Sequence, residues 1–227
     1  MNIFKEMIRV WKGKTFMDSI MSDFKRMMKE IYTMFDNVTS LLFQHKRIPG
    51  INKRIYDEDH FVNKSERKIR KRIIEHLAVQ PGVDIGPSLI MMSIVKDAER
   101  IGDYCKNLLE VYHMFKVFNK KHKYYSTFKQ MRDKIVNLIF TTDQSFRKSW
   151  DDKARQVMED AFKIEKDCDQ LLQEFSNSKM TANEAVNLTL MSRHFKRIAA
   201  HLSNIASAVI YPVHRIDFSL DKAKRKD

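Results

Sequence analysis

The sequence has few residues that break helices. Only five glycines and four prolines occur among 227 residues, and between Pro87 and Pro212 the single such residue is Gly102. Inside a helix, glycine costs about 1 kcal/mol relative to alanine and proline about 3 kcal/mol. The gaps between these residues therefore predict a chain of long helices.

Cysteine is also scarce, and long apolar runs are missing. Cys105 and Cys168 lack the paired spacing of a zinc knuckle or a secreted disulfide framework, which indicates reduced thiols in the cytosol. No segment approaches the roughly 18 consecutive apolar residues that a membrane span needs. The first 14 residues lack the unbroken apolar stretch of a secretory signal. We expect a cytoplasmic protein, and a peripheral position on the inner face of the membrane is compatible with the sequence.

Apolar residues recur every three or four positions along most of the chain, which is the period of an amphipathic helix. The pattern predicts six long antiparallel helices. Five lie at about residues 17–45, 52–78, 84–119, 152–175 and 181–211, and the fourth follows a basic connector at 119–123 and contains the apolar series from Phe128 to Ile139. Asp84 and Thr181 are the expected caps of the third and sixth helices. On the second helix the residues expected to face inward are Ile55, Phe61, Val62, Ile69, Ile73, Ile74 and Leu77.

The two halves of the chain are similar to each other. Arg100-Ile-Gly on the third helix and Arg197-Ile-Ala on the sixth are 97 positions apart, and Asn107 and Asn204 share that offset. The prediction is an all-α fold of two tandem three-helix bundles, at residues 17–119 and 120–213. A basic amphipathic extension at 1–16 and a basic tail at 214–227 complete the division. Length alone also permits one six-helix bundle.

The first half carries the longer motif, Glu99-Arg100-Ile-Gly102-Asp103 followed by Asn107-Leu-Leu-Glu110. It resembles the PhoU family, whose two three-helix repeats each contain such a segment. The second half departs from the motif, because Lys196 stands where the family has glutamate and Ala200 where it has aspartate.

The resemblance implies a regulator of phosphate uptake and phosphate signalling rather than an enzyme. Such a protein would bind components of a phosphate transporter, its sensor kinase, or both. In this family such motifs hold multinuclear iron or zinc clusters, so the resemblance implies iron or zinc in the first repeat.

The residues themselves allow a cation between two helices. Glu99, Asp103, Asn107 and Glu110 share one helical stripe, and a hairpin turning near residue 83 would place Asp59 and Glu66 opposite them. Oxygen-rich sites suit iron, manganese, magnesium or calcium. We therefore take Glu99, Asp103, Asp59 and Glu66 as candidate metal ligands. The alternative is that these carboxylates form ordinary ion pairs, for example between Glu99 and Arg70 or Arg100.

The other motif residues have structural interpretations. Gly102 and its counterpart Ala199 indicate a close crossing of helices. We class Arg100, Asn107 and Glu110 in the first half, and Arg197 and Asn204 in the second, as motif or structural residues.

The chain is strongly basic, with a net charge of 42 − 29 = +13. This charge favours acidic partners, and residues 1–14 are amphipathic enough to lie on an anionic membrane surface or on a protein. The sequence is also compatible with a homodimer and does not decide the oligomeric state. One alternative is a metal-carboxylate bundle with redox or storage activity, but this sequence lacks the Glu-x-x-His pairs that such bundles require. Another alternative is a nucleic-acid-binding protein. We do not expect nucleic acid as the partner, because no helix-turn-helix is evident.

Overall fold

A computed structural model describes residues 16–44, 48–115 and 118–216. Six long helices fill these ranges, and no β-strand occurs within them, so the predicted all-α fold is confirmed. The helices are α1 Phe16–Gln44, α2 Ile51–Val79, α3 Ile85–Phe115, α4 Tyr125–Lys148, α5 Asp151–Ser176 and α6 Ala182–Ile210, followed by a short 3-10 helix at Val213–Arg215. The predicted extension and tail lie outside the described residues, apart from Phe16 and residues 214–216.

The helix ends follow from local chemistry. Thr181 begins α6 with a complete capping box, in which its hydroxyl accepts from the Glu184 backbone N–H while the Glu184 carboxylate accepts from the Thr181 backbone N–H. Asp84 begins α3 differently from the prediction. Its backbone carbonyl accepts from Ser88, and its carboxylate lies 3.1 Å from His76 Nε2.

Four of the helices form a closed ring, in which α1 contacts α3, α3 contacts α6, α6 contacts α4 and α4 contacts α1. The other two lie outside this ring: α2 packs on α1 and α3, and α5 packs on α4 and α6. Among the described residues, no helix qualifies as a membrane span.

The two repeats share one apolar core. Phe35 of α1 and Phe128 of α4 both contact Phe195 of α6, with ring centroids 5.8 and 6.0 Å apart. The rings of Phe24 and Phe146 join α1 to α4 at 5.4 Å. The buried apolar side chains of both halves form a single cluster.

Equivalent positions of the two repeats meet where α3 packs on α6. Tyr104 and His201 are 97 residues apart, and their rings stack with centroids at 5.8 Å. Asp97, earlier on α3, contacts Asn204, later on α6, so the two helices run antiparallel. This arrangement agrees with the internal duplication read from the sequence.

Two side chains of α2 were predicted on the wrong side. Phe61 is 39% exposed and Ile74 is 59% exposed, although both were expected to face inward. Because α2 packs mainly on α1 and α3 within the described ranges, its buried stripe is narrow. Neighbouring residues differ by about 100° around a helix, so the positions beside buried Val62 and Ile73 turn outward.

We predict that Phe195→Ala destabilises the whole protein by about 3–5 kcal/mol, because a ring shared by both repeats is replaced by a cavity. Urea denaturation followed by circular dichroism measures the loss. The control is Phe140→Ala, which removes a ring that is 57% exposed and should cost no more than about 0.5 kcal/mol. A loss below about 1 kcal/mol for Phe195→Ala would contradict the shared core.

Candidate functional site

Gly102 lies where α2 and α3 approach each other closely. A Cβ atom built on Gly102 would lie 3.2 Å from Val62 Cγ1, which is closer than an ordinary contact. The glycine therefore serves helix crossing, as predicted. The crossing places residue 102 of α3 against residue 62 of α2, close to the pairing expected from the hairpin.

Lys106 lies between the two acidic stripes. Its ammonium Nζ is 3.1 Å from Asp59 Oδ2 on α2 and 3.3 Å from Asp103 Oδ1 on α3. Burial by itself lowers the pKa of Lys106, but the hydrogen bonds and charges of Asp59 and Asp103 outweigh it and raise the pKa above its ordinary value. A positive charge of the protein itself thus bridges the facing carboxylates.

The other two candidate ligands are paired with cations on their own helices. Glu99 accepts a hydrogen bond from Lys96 at 2.7 Å, and Glu66 accepts one from Arg70 at 2.7 Å. Arg100 lies 3.1 Å from Asp103 and 3.8 Å from Glu99. In the structure these carboxylates therefore form ion pairs with neighbouring lysine and arginine side chains.

These residues do not fit a multinuclear iron or zinc cluster. Each of the four carboxylates has an ammonium or guanidinium group within 3.1 Å. Within the described part of the chain, no group of three or more histidine, cysteine, aspartate or glutamate side chains is placed to hold a metal ion. This geometry therefore gives no support to the iron or zinc that the resemblance implies.

The second repeat uses a related device. Lys196 of α6 reaches across to α5, where its Nζ lies 2.6 Å from both carboxylate oxygens of Asp169. Neither Asp169 nor Lys106 is among the site residues that the sequence predicts. For Lys106 a signal existed, because it follows Asp103 by three positions and shares its side of α3.

The remaining motif residues have no common site. Asn107 is partly exposed, while Glu110 and Arg197 are exposed. Asn204 instead joins the repeats, since its Nδ2 donates to Asp97 Oδ1 at 2.9 Å. His201 Nδ1 lies 2.7 Å from the same carboxylate oxygen.

His194 lies at the same contact between α3 and α6 as Asp97 and Asn204. The ring centroids of His194 and Tyr104 are 5.8 Å apart. Burial, followed by the charge of Arg193, lowers the pKa of His194 to about 4. The imidazole is therefore neutral in the folded protein at neutral pH.

An apolar groove runs between α1 of the first repeat and α4 of the second. It has a volume of about 590 Å³. The exposed Tyr32 and Phe140 lie on it, Lys25 and Lys29 line the α1 wall, and Asp133 lines the α4 wall.

Comparison with known proteins gives one family twice. The model of the PhoU domain matches residues 24–111 and again residues 123–209. The crystal structure of PhoU from Pseudomonas aeruginosa superposes with a TM-score of 0.76 at 20% identity, covering 88% of this chain and 97% of that one. The phosphate transport system regulatory protein PhoU from Streptococcus pneumoniae gives 0.73 at 16% identity, covering 86% and 93%. No curated protein sequence matches the chain.

We predict that the purified protein carries less than one equivalent of iron or zinc, because cationic side chains of the protein already neutralise the four carboxylates. Elemental analysis after gel filtration measures this, beside a Glu99→Ala/Asp103→Ala variant. A full equivalent of metal in the unmodified protein that the double variant loses would show that the metal displaces these ion pairs.

We predict that stability falls as the pH drops from about 6.5 to about 4, because the unfolded chain then binds a proton at His194 that the folded protein excludes. The contribution is complete above pH 6.5 and amounts to at most about 3 kcal/mol. In His194→Gln this part of the acid limb should disappear from urea denaturation measured across that range. His214→Gln, which removes an exposed histidine, is the control and should follow the unmodified protein.

Proposed function

The chain belongs to the PhoU family of phosphate-uptake regulators, and we propose that it works by binding a phosphate transporter, its sensor kinase, or both, at the cytoplasmic face of the membrane. The observation that carries the proposal is the double match to the PhoU domain, which includes both repeats of the chain. The similar protein from Streptococcus pneumoniae, described as a regulatory protein of the phosphate transport system, supports a role of this chain in regulating phosphate transport.

The proposed mechanism is binding and conformational coupling, and no catalytic residues are assigned. The continuous core supports this mechanism, since a partner that displaces helices of one repeat must also disturb those of the other. The joint formed by Asp97, His201 and Asn204 adds polar contacts that depend on how α3 and α6 sit together.

We place the partner contact in the groove between α1 and α4. Met28, Val136 and Ile139 give it an apolar lining, and the exposed rings of Tyr32 and Phe140 offer further apolar area. A groove of this kind suits the apolar face of an amphipathic helix. Because both repeats form its walls, an occupant would touch both at once.

The charges of the two walls specify the occupant further. Lys25 and Lys29 are exposed, stand four residues apart on α1, and make no ion pair within the described residues. The acidic wall is already neutralised, since Asp133 contacts Arg132 and Asp143 contacts Arg147. The proposed occupant is therefore an amphipathic helix of the transporter or kinase with acidic side chains along one flank.

Affinity capture tests this function. Tagged protein is mixed with detergent-solubilised membranes of the organism that encodes it, and captured proteins are identified by mass spectrometry. We expect enrichment of phosphate-transporter or sensor-kinase subunits. Phe140→Asp should reduce the capture at least about tenfold, because a charge then enters the apolar groove. Val186→Asp, at another exposed position of similar accessibility, is the control.

Three results would count against the proposal. One is capture of no transporter or kinase subunit above a tag-only sample. The second is unchanged phosphate uptake in a strain lacking the protein. Tight, sequence-dependent DNA binding at physiological salt would favour the nucleic-acid alternative instead.

A further inference from the structure

We infer that one end of the bundle binds an anionic membrane surface directly. This end, called here the apolar end, comprises the α2–α3 turn with Val79, Val83, Ile85 and Leu89, and the α4–α5 turn with Trp150. The inference rests on the proposed function for its setting at the membrane face. Lipid binding itself needs no transporter, so the two can fail separately.

Several elements converge on this end. The ring of Phe16, the first described residue of α1, stacks on His76 near the end of α2 at 3.8 Å. Because α4 runs antiparallel to α1, with Phe146 against Phe24, its last residues return to the same end. α6 runs antiparallel to α3, so it finishes where α3 begins. Both termini of the described chain therefore leave from the apolar end.

The α2–α3 turn is unusually poor in charge. Between residues 77 and 95 the single charged residue is Asp84, whereas 31% of the whole chain is charged. The Asp84 carboxylate faces back to His76, 3.1 Å away. Residues 87–95 are largely buried apart from Leu89, but residues 78–86 lie mainly at the surface, where a stretch with one charge in a strongly charged protein is unusual.

The apolar side chains of this turn face outward. Val79 is 79% exposed, and Val83, Ile85 and Leu89 are 46 to 47% exposed. Gly82, with φ of 94°, allows the tight turn that projects them. Four exposed aliphatic side chains around one turn would gain free energy by entering the headgroup and acyl boundary of a bilayer.

Trp150 gives the same end an interfacial residue. Its ring is 42% exposed, and the ammonium groups of Lys148 and Lys153 lie 5.7 and 5.8 Å from the ring centroid. Tryptophan favours the membrane interface, and flanking lysines extend toward lipid phosphates. Together they form a contact suited to anionic lipid.

The apolar end also carries basic side chains within the described residues, because Lys148 and Lys153 flank Trp150. Stable peripheral attachment requires an apolar contact together with a basic one, and the apolar end has both close together. Exposed aliphatic side chains beside a tryptophan flanked by lysines fit an anionic lipid surface.

The test is sedimentation of the purified full chain with vesicles of phosphatidylcholine, with and without phosphatidylglycerol. We expect binding to the anionic vesicles, and at least about tenfold weaker binding to the neutral ones and at high salt. Val83→Ser/Ile85→Ser should weaken binding to anionic vesicles at least about tenfold, because two apolar anchors are lost. Val186→Ser is the matched control, since Val186 is 52% exposed and lies near the start of α6, at the opposite end.

Equal binding to neutral and anionic vesicles, or undiminished binding of the double serine variant, would overturn the inference. Circular dichroism and thermal melting confirm that each variant is folded. Vesicle binding without capture of a transporter or kinase would leave the inference standing and remove the proposed function. Capture without vesicle binding would do the reverse.

Discussion

The structure depends on burying one apolar core between two repeats. Phe195 of the second repeat packs against Phe35 of the first and Phe128 of its own, so neither half covers its core alone. This requirement puts α1, α3, α4 and α6 in a ring and leaves α2 and α5 outside. The surfaces proposed for function, the groove and the apolar end, are what this packing leaves exposed.

Close packing of α2 and α3 creates an electrostatic problem that lysine solves. Gly102 lets the helices approach, and the approach brings carboxylates of both helices near each other. Lys106 compensates this charge in the first repeat, as Lys196 does for Asp169 in the second. The acidic motif that resembles a metal site therefore contributes, in this chain, to holding the hairpin together.

Much of the fold could be predicted from the sequence, because scarce glycine and proline left helical periodicity uninterrupted. The capping box at Thr181 and the close crossing at Gly102 were also readable locally. The exposure of Phe61 was not, since the width of a buried stripe depends on how many neighbours a helix has.

The candidate site was less predictable for a related reason. The spacing of Asp59 and Asp103 showed that acidic residues would face each other, but not that the Lys106 side chain would lie between them. The contact between Asp97 and Asn204 joins residues 107 positions apart. It follows from how the repeats pack, which periodicity within one helix does not reveal.

The most direct test of the account is whether the two repeats unfold as one unit. Urea unfolding is followed by Trp150 fluorescence for the second repeat in a Trp11→Phe background. For the first repeat it is followed by a Tyr56→Trp probe in a Trp11→Phe/Trp150→Phe background. The shared core predicts coincident transitions with equal midpoints, which also match circular dichroism. Two separated transitions, with one repeat still folded after the other has melted, would contradict it.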